Sequence, residues 1–154
     1  AGVLLATCTL PALASDTPEA AVRDFNAAIS ARDLTAAGTH LAPGAVQFTL
    51  RPAHAGMAAS APQGLSLALA THWKQVGSLL FSVTSRYQRT PTITDARIDG
   101  DLATVWARID TETLERNATQ PRRERFAELY LLVRQEGDWR IAGVADNRGA
   151  NRAA

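Results

Sequence analysis

The stretch that decides the fold is GDWRIAGVADN, residues 137–147. A Glu136-Gly137-Asp138 turn leads into Trp139, apolar residues recur along the next few positions, and Asp146-Asn147 stops the run. That punctuation marks a β-strand entered through a tight turn. Trp139 and Ile141 are expected to point one way, onto helices. Gly143 and Ala145 are expected on that same face, where small side chains leave room. Working backwards, RERFAELYLLVRQ is a long strand with a middle that is apolar on both faces, so it should lie centrally in a sheet. TDARIDGDLATVWARIDTETL reads as two strands joined at Asp99-Gly100, and LLFSVTSRYQ as a further strand from Leu79 onward.

Upstream the period changes. Thr17-Pro18-Glu19 carries an N-cap residue, a first-turn proline and an acid suited to the positive helix end. Val22, Phe25 and Ile29 then make one apolar stripe. Asp33 caps a second short helix through Leu34, Ala36 and Ala37, which LAPGA (41–45) should stop. Val46, Phe48 and Leu50 alternate with Gln47, Thr49 and Arg51 as a half-buried strand. Residues 51–64, rich in Ala, Gly and Pro, read as a loop and a candidate lid. A helix is expected from about Pro62 to Val76, with Leu65, Leu69, Trp73 and Val76 inward and Gly77 at C′. Helices gathered on one face of a mostly antiparallel sheet make an α+β domain. The sheet should curve around the helices and enclose a pocket.

The chain has 154 residues, enough for one domain with a real core. Its formal net charge of +1 gives no reason to expect nucleic acid or an anionic membrane as partner. Arg122, Arg123 and Arg125 cluster beside Glu124 and read as a solvated turn or strand edge. The first segment, AGVLLATCTLPALAS, is apolar, too short to span a bilayer, and contains the A-x-A pattern Ala12-Leu13-Ala14. Residues 1–14 therefore read as the remnant of a secretory signal cut after Ala14, which places the protein in the periplasm or outside the cell. The alternatives are lipid anchoring at Cys8 and a buried N-terminal element. Cleavage after Ala14 removes the one cysteine, leaving no thiol, disulfide or cysteine-ligated metal. The mature domain is then 15–148, followed by a tail, 149–154, expected to be disordered.

This element order resembles the nuclear transport factor 2-like superfamily, the cone-shaped, cystatin-like fold shared by SnoaL-like proteins and ketosteroid isomerase. Three stretches carry the likeness: the opening amphipathic helix with "RD" and LAPGAVQF; DGDLATVWARID; and ELYLLVRQEGDWRIAGV. TVWARID followed by LYLLVRQEGDWRI also looks like the lumazine-binding-like subgroup. The resemblance implies a cone built from a curved antiparallel sheet over N-terminal helices, and it says little of activity, because the same cone hosts enzymes, binding modules and adaptors. The isomerases carry an acid at the end of the first strand; Val46, Gln47, Phe48 and Thr49 stand there in this chain. Histidines that many members place in the last strand are replaced by Gly143 and Ala145. Arg123-Glu124-Arg125 stands where subgroup members have a His-containing turn.

Candidate site residues divide between two regions. The three histidines, His40, His54 and His72, are spaced unlike any zinc motif, so no metal or other cofactor is expected. His40 should end a helix, where a cation suits the dipole. His72 and Trp73 are either a pocket-lining pair or a core tryptophan beside a hydrogen-bonded histidine. In the hairpin, Trp106, Arg108 and Asp110 share one face, and on the next strand Glu128 and Tyr130 share another with Phe126 and Leu132. If those faces coincide, Arg108 meets Asp110 or Glu128 within one cavity and, with Trp106 and Tyr130, orients a planar polar ligand. If not, the Arg–carboxylate pair is a cross-strand ion pair on the outer sheet face, or these residues lie at a dimer interface. Asp146 is the remaining candidate base, with a capping role as its alternative. No nucleophile elbow, phosphate loop or dinucleotide fingerprint is present. The leading functional expectation is an exported, non-catalytic domain that binds a small apolar or aromatic molecule, as a homodimer. The others are a lyase or isomerase using His72 or Asp146 for proton transfer, and an envelope protein-interaction module.

Overall fold

A computed structural model describes residues 15–48 and 67–148. The expected signal remnant, the loop at 51–64 and the tail at 149–154 lie outside the described residues. The chain is α+β: α1 (Pro18–Ser30), α2 (Leu34–Thr39), β1 (Leu41–Phe48), α3 (Leu69–Val83), β2 (Thr84–Asp99), β3 (Leu102–Glu115), β4 (Arg122–Gln135) and β5 (Asp138–Asp146). One five-stranded sheet runs in the order β1-β5-β4-β3-β2. It is antiparallel except that β1 pairs parallel with β5. The expected helices-on-sheet architecture is present, and the sheet is mixed.

Local chemistry explains the helix ends. Thr17 accepts from Ala20 N at 3.1 Å, and Asp33 accepts from Ala36 N at 2.8 Å, so both N-caps act as the sequence indicates. Between the two helices Arg32 has φ 62°, the left-handed conformation usually left to glycine. Arg32 N bonds Ile29 O at 3.0 Å and Asp33 N bonds Ala28 O at 2.9 Å, which closes α1 with paired carbonyls. The strain is offset by the Arg32 side chain, which donates to Phe81 O and Thr84 O and lies 5.2 Å from the Phe81 ring centre.

Three expectations about element limits fail for physical reasons. Gly77 does not end α3; the helix continues to Val83, through residues read as the start of a strand. Gly77 fits close packing there, since a Cβ would sit 2.9 Å from Leu34 Cδ1 and that side chain would have to shift. Leu80 and Phe81 beyond it still reach the core. LAPGA does not precede β1 but begins it, with the pairing irregular between Leu41 and Val46 and Gly44 at φ 77°. Pro43 is tolerated because β1 is an edge strand. Finally, β2 is one strand of 16 residues rather than two pieces; it bends at an irregularity between Ile93 and Asp95 and carries Pro91 on the opposite sheet edge.

The last strand holds a further correction. Leu132 pairs with Ile141, and Leu131 with Gly143, so Ala142 is an extra residue in a β-bulge. The bulge reverses which side chains face the helices. Trp139 and Ile141 are buried inward as expected, at 2% and 0% exposure. Beyond the bulge it is Val144, opposite buried Tyr130, that points inward. Gly143 and Ala145 face outward, opposite Leu131 and Leu129, and the space above Gly143 holds the Phe48 ring, 2.9 Å from where a Cβ would be. The core lies between the stripe of α1 (Val22, Phe25, Ile29) and the inner sheet face (Val105, Ile109, Tyr130, Leu132, Ile141).

His40 follows α2 as its C-cap, yet it is not held there as a cation. Burial pulls its pKa below the ordinary imidazole value; Asp24 opposes this and Arg140 adds to it. A depressed folded-state pKa contributes stability above the unfolded value and loses it as pH falls through the folded one. Unfolding free energy should therefore decline below about pH 6.5. The check is urea unfolding across pH: His40→Gln should flatten this part of the profile, and an unchanged slope would show that other groups cause it.

Candidate functional site

The inner face carries a cluster of polar side chains where an apolar core is the default. Asn26 projects from α1, Tyr87 and Arg89 from β2, and Glu128 and Tyr130 from β4, all at 5% exposure or less. Arg89 Nη2 donates to Glu128 Oε2 at 2.7 Å, and Arg89 Nε to Asn26 Oδ1 at 2.7 Å. Asn26 Nδ2 donates to Tyr130 Oη at 2.9 Å and to Val22 O at 2.8 Å. The Tyr130 hydroxyl in turn donates to Glu128 Oε2. The Arg89 guanidinium also lies 5.2 Å from the Trp73 ring centre and 5.8 Å from that of Phe126. A buried charge pair survives only when desolvation is met by such complete bonding. Burial works against a charged Arg89, and the Glu128 carboxylate overrides it, holding the guanidinium well above its ordinary pKa. Burial, joined by Glu128, pushes the Tyr130 phenol well above its usual range, so it stays a neutral donor.

Sequence reasoning named Glu128 and Tyr130 and missed the residues that complete their cluster. Arg89 carries the charge opposite Glu128, not Arg108. The residue paired with Glu128 across the sheet is Ala107, while Trp106 pairs with Leu129 and Arg108 with Ala127 on the outer face. The two polar-aromatic faces therefore do not coincide, and Trp106 is 45% exposed outside. Asp110 meets Arg125, 2.6 Å away, on that outer face. The missed signals were a polar Asn26 inside the α1 stripe and the inward alternation of Tyr87, Arg89 and Pro91.

His72 and Trp73 occupy adjacent positions on α3. His72 is buried, and its ring meets Trp73 edge-on at 6.4 Å. Trp73 is half-buried and packs edge-to-face on Phe25, with centroids 6.1 Å apart at 77°. Asp146 faces inward opposite Glu128, and its Oδ1 accepts from Arg148 N at 3.0 Å, which is the turn role foreseen as its alternative. Among the described residues no group of three or more His, Cys, Asp or Glu could hold a metal ion, and no helix is long and apolar enough to cross a membrane.

Among the described residues, three hollows bear on the site. One, of about 350 Å³, is polar and is crossed by the Arg86–Glu112–Arg123 ion pairs. Another, of about 490 Å³, is a groove between α1 and the free edge of β2, where Ser30 Oγ bonds the backbone of Arg89. The third, of about 270 Å³, lies among α1, α2, α3 and β1. Phe25, Leu34, Ala37, Leu41, Ala70 and Trp73 line it, with exposed Thr35, Gly38 and Lys74. Trp73 thus connects this hollow to the buried cluster.

No protein-family model matches the chain, and no curated protein matches it. Solved structures do. A ketosteroid isomerase-like protein from Erwinia carotovora atroseptica superposes with a TM-score of 0.60 at 18% identity, covering 83% of this chain and 90% of that one. A nuclear transport factor 2-like superfamily protein from Salmonella enterica serovar Typhimurium gives 0.58 at 16%, covering 83% and 85%. A domain with a cystatin-like fold from Nostoc punctiforme gives 0.59 at 14%, covering 85% and 76%. The fold is the nuclear transport factor 2-like, cystatin-like cone.

Proposed function

We propose that this cone is an exported, non-catalytic domain that binds a small apolar or aromatic molecule and acts as a homodimer. The observation that carries the binding reading is the 270 Å³ hollow walled by the Phe25–Trp73 pair. Its size is close to the lower end of small-molecule sites, roughly 300–1,000 Å³. The non-catalytic reading rests on the inner cluster: Arg89, Asn26, Tyr130 and Glu128 bond one another at 4% exposure or less, which leaves them turned away from a ligand. Export rests on the apolar run ending in Ala12-Leu13-Ala14. Ser15 supports a cut at that point, because its carbonyl accepts from Trp139 N and its hydroxyl donates to Asp24, contacts that a chain starting at Ser15 keeps. The dimer rests on an outer face where Phe48, Trp106 and Leu131 stand 36–50% exposed.

A thermal-shift screen of small aromatic and pterin-like compounds tests the binding reading. A ligand at a hundred times its Kd should add roughly 2.7 kcal/mol of stability. A screen in which no compound moves the Tm at high concentration would remove it.

A further inference from the structure

We propose that the hollow beside Trp73 selects an aromatic carboxylate, a step that rests on the binding reading and names its ligand class. The wall is aromatic and angled: Phe25 and Trp73 meet edge-to-face at 77°, and the Arg89 guanidinium lies 5.2 Å from the Trp73 ring centre on the protein side. Such a wall takes a planar ring by stacking or edge contact. The volume, about 270 Å³, is well above the roughly 150 Å³ cavity that accepts benzene, so the ligand carries more than one bare ring.

The charge comes from the lining. Among the described residues that border the hollow none is acidic, and the charged one is the exposed Lys74, which makes no ion pair with any described residue. Thr35, also exposed on the lining, adds a hydroxyl donor. An apolar wall with a cationic border is complementary to a molecule with an aromatic body and one anionic end. Gly38 shapes the remaining side. It lies in α2 with an ordinary backbone conformation, and a Cβ there would meet nothing within 4 Å. A larger side chain at this position, on the border of the hollow, has open space to occupy and does not strain the helix.

The test uses the folded domain, naphthalene carboxylate as anionic probe, and the neutral carboxamide as its isostere. Binding is followed by NMR at the Gly38 amide and the Trp73 indole N–H. The carboxylate should shift both signals, and Gly38→Leu should abolish the shift of the Trp73 indole while Tm is kept or raised. The carboxamide, and Lys74→Gln with the carboxylate, should each bind about fivefold more weakly, an effect that fades in high salt. Equal affinity for the two probes overturns the anionic class and leaves the hollow as a site. Shifts confined to other residues, or none with either probe, overturn the site; the broader binding reading falls only if the compound screen is blank too.

Discussion

Arg89→Met should cost about 3–5 kcal/mol in urea unfolding, the usual penalty for stranding a buried charge. Arg89 is 3% exposed and holds Glu128, which is 4% exposed, at 2.7 Å. Methionine fills much the same space but leaves the Glu128 carboxylate with Tyr130 as its one remaining donor in the cluster, and Asn26 Oδ1 without the Arg89 bond. The loss then belongs to the unpaired ion and not to a cavity. Pairing Arg89→Met with Glu128→Leu should recover most of it, because replacing both partners of a buried ion pair by apolar groups is often neutral. The double-mutant cycle should show coupling well outside additivity. A loss below about 1 kcal/mol for Arg89→Met would mean that water reaches the pair, and the cluster would then be open to a ligand after all. The non-catalytic reading depends on that distinction.

How far the sequence discloses such a cluster is set by what short-range patterns encode. The caps at Thr17 and Asp33, the turns at Gly100 and Glu136-Gly137, and the stripe Val22-Phe25-Ile29 depend on neighbours within a few residues, and all are readable. Alternation also assigns Trp106 and Arg108 to one face of β3 and Glu128 and Tyr130 to one face of β4. What it lacks is the register between strands, which decides that Glu128 faces Ala107 rather than Arg108. The β5 bulge is harder still. One extra residue at Ala142 reverses the faces beyond it, and Gly143 beside it is an ambiguous signal, since an isolated strand glycine marks either a bulge or a close approach such as that of Phe48. The extension of α3 past Gly77 fails for the opposite reason: glycine is a common helix stop, and here it answers to Leu34, which is distant in sequence.

For the proposed homodimer, Trp106→Glu should convert dimer into monomer, weakening association by about a hundredfold or more, as loss of an aromatic hot spot does. The outer face supplies the reason. Phe48, Ala145, Leu129 and Trp106 form one row across β1, β5, β4 and β3, and Gly143, Leu131 and Thr104 lie along the next. Gly143 lets the Phe48 ring lie close to the sheet, so Phe48 joins the row that, in the proposed homodimer, meets its own copy about a two-fold axis. A carboxylate at Trp106 would be desolvated at the centre of that contact, without a partner. Because Trp106 is 45% exposed in the protomer, its replacement should leave the Tm of the isolated fold nearly unchanged. Leu79→Glu on α3, also exposed, serves as the control and should leave the dimer intact. Sedimentation velocity reads all three proteins. If the parent protein sediments as a monomer at every concentration reached, the homodimer is wrong, and the apolar row belongs to an envelope partner or to none.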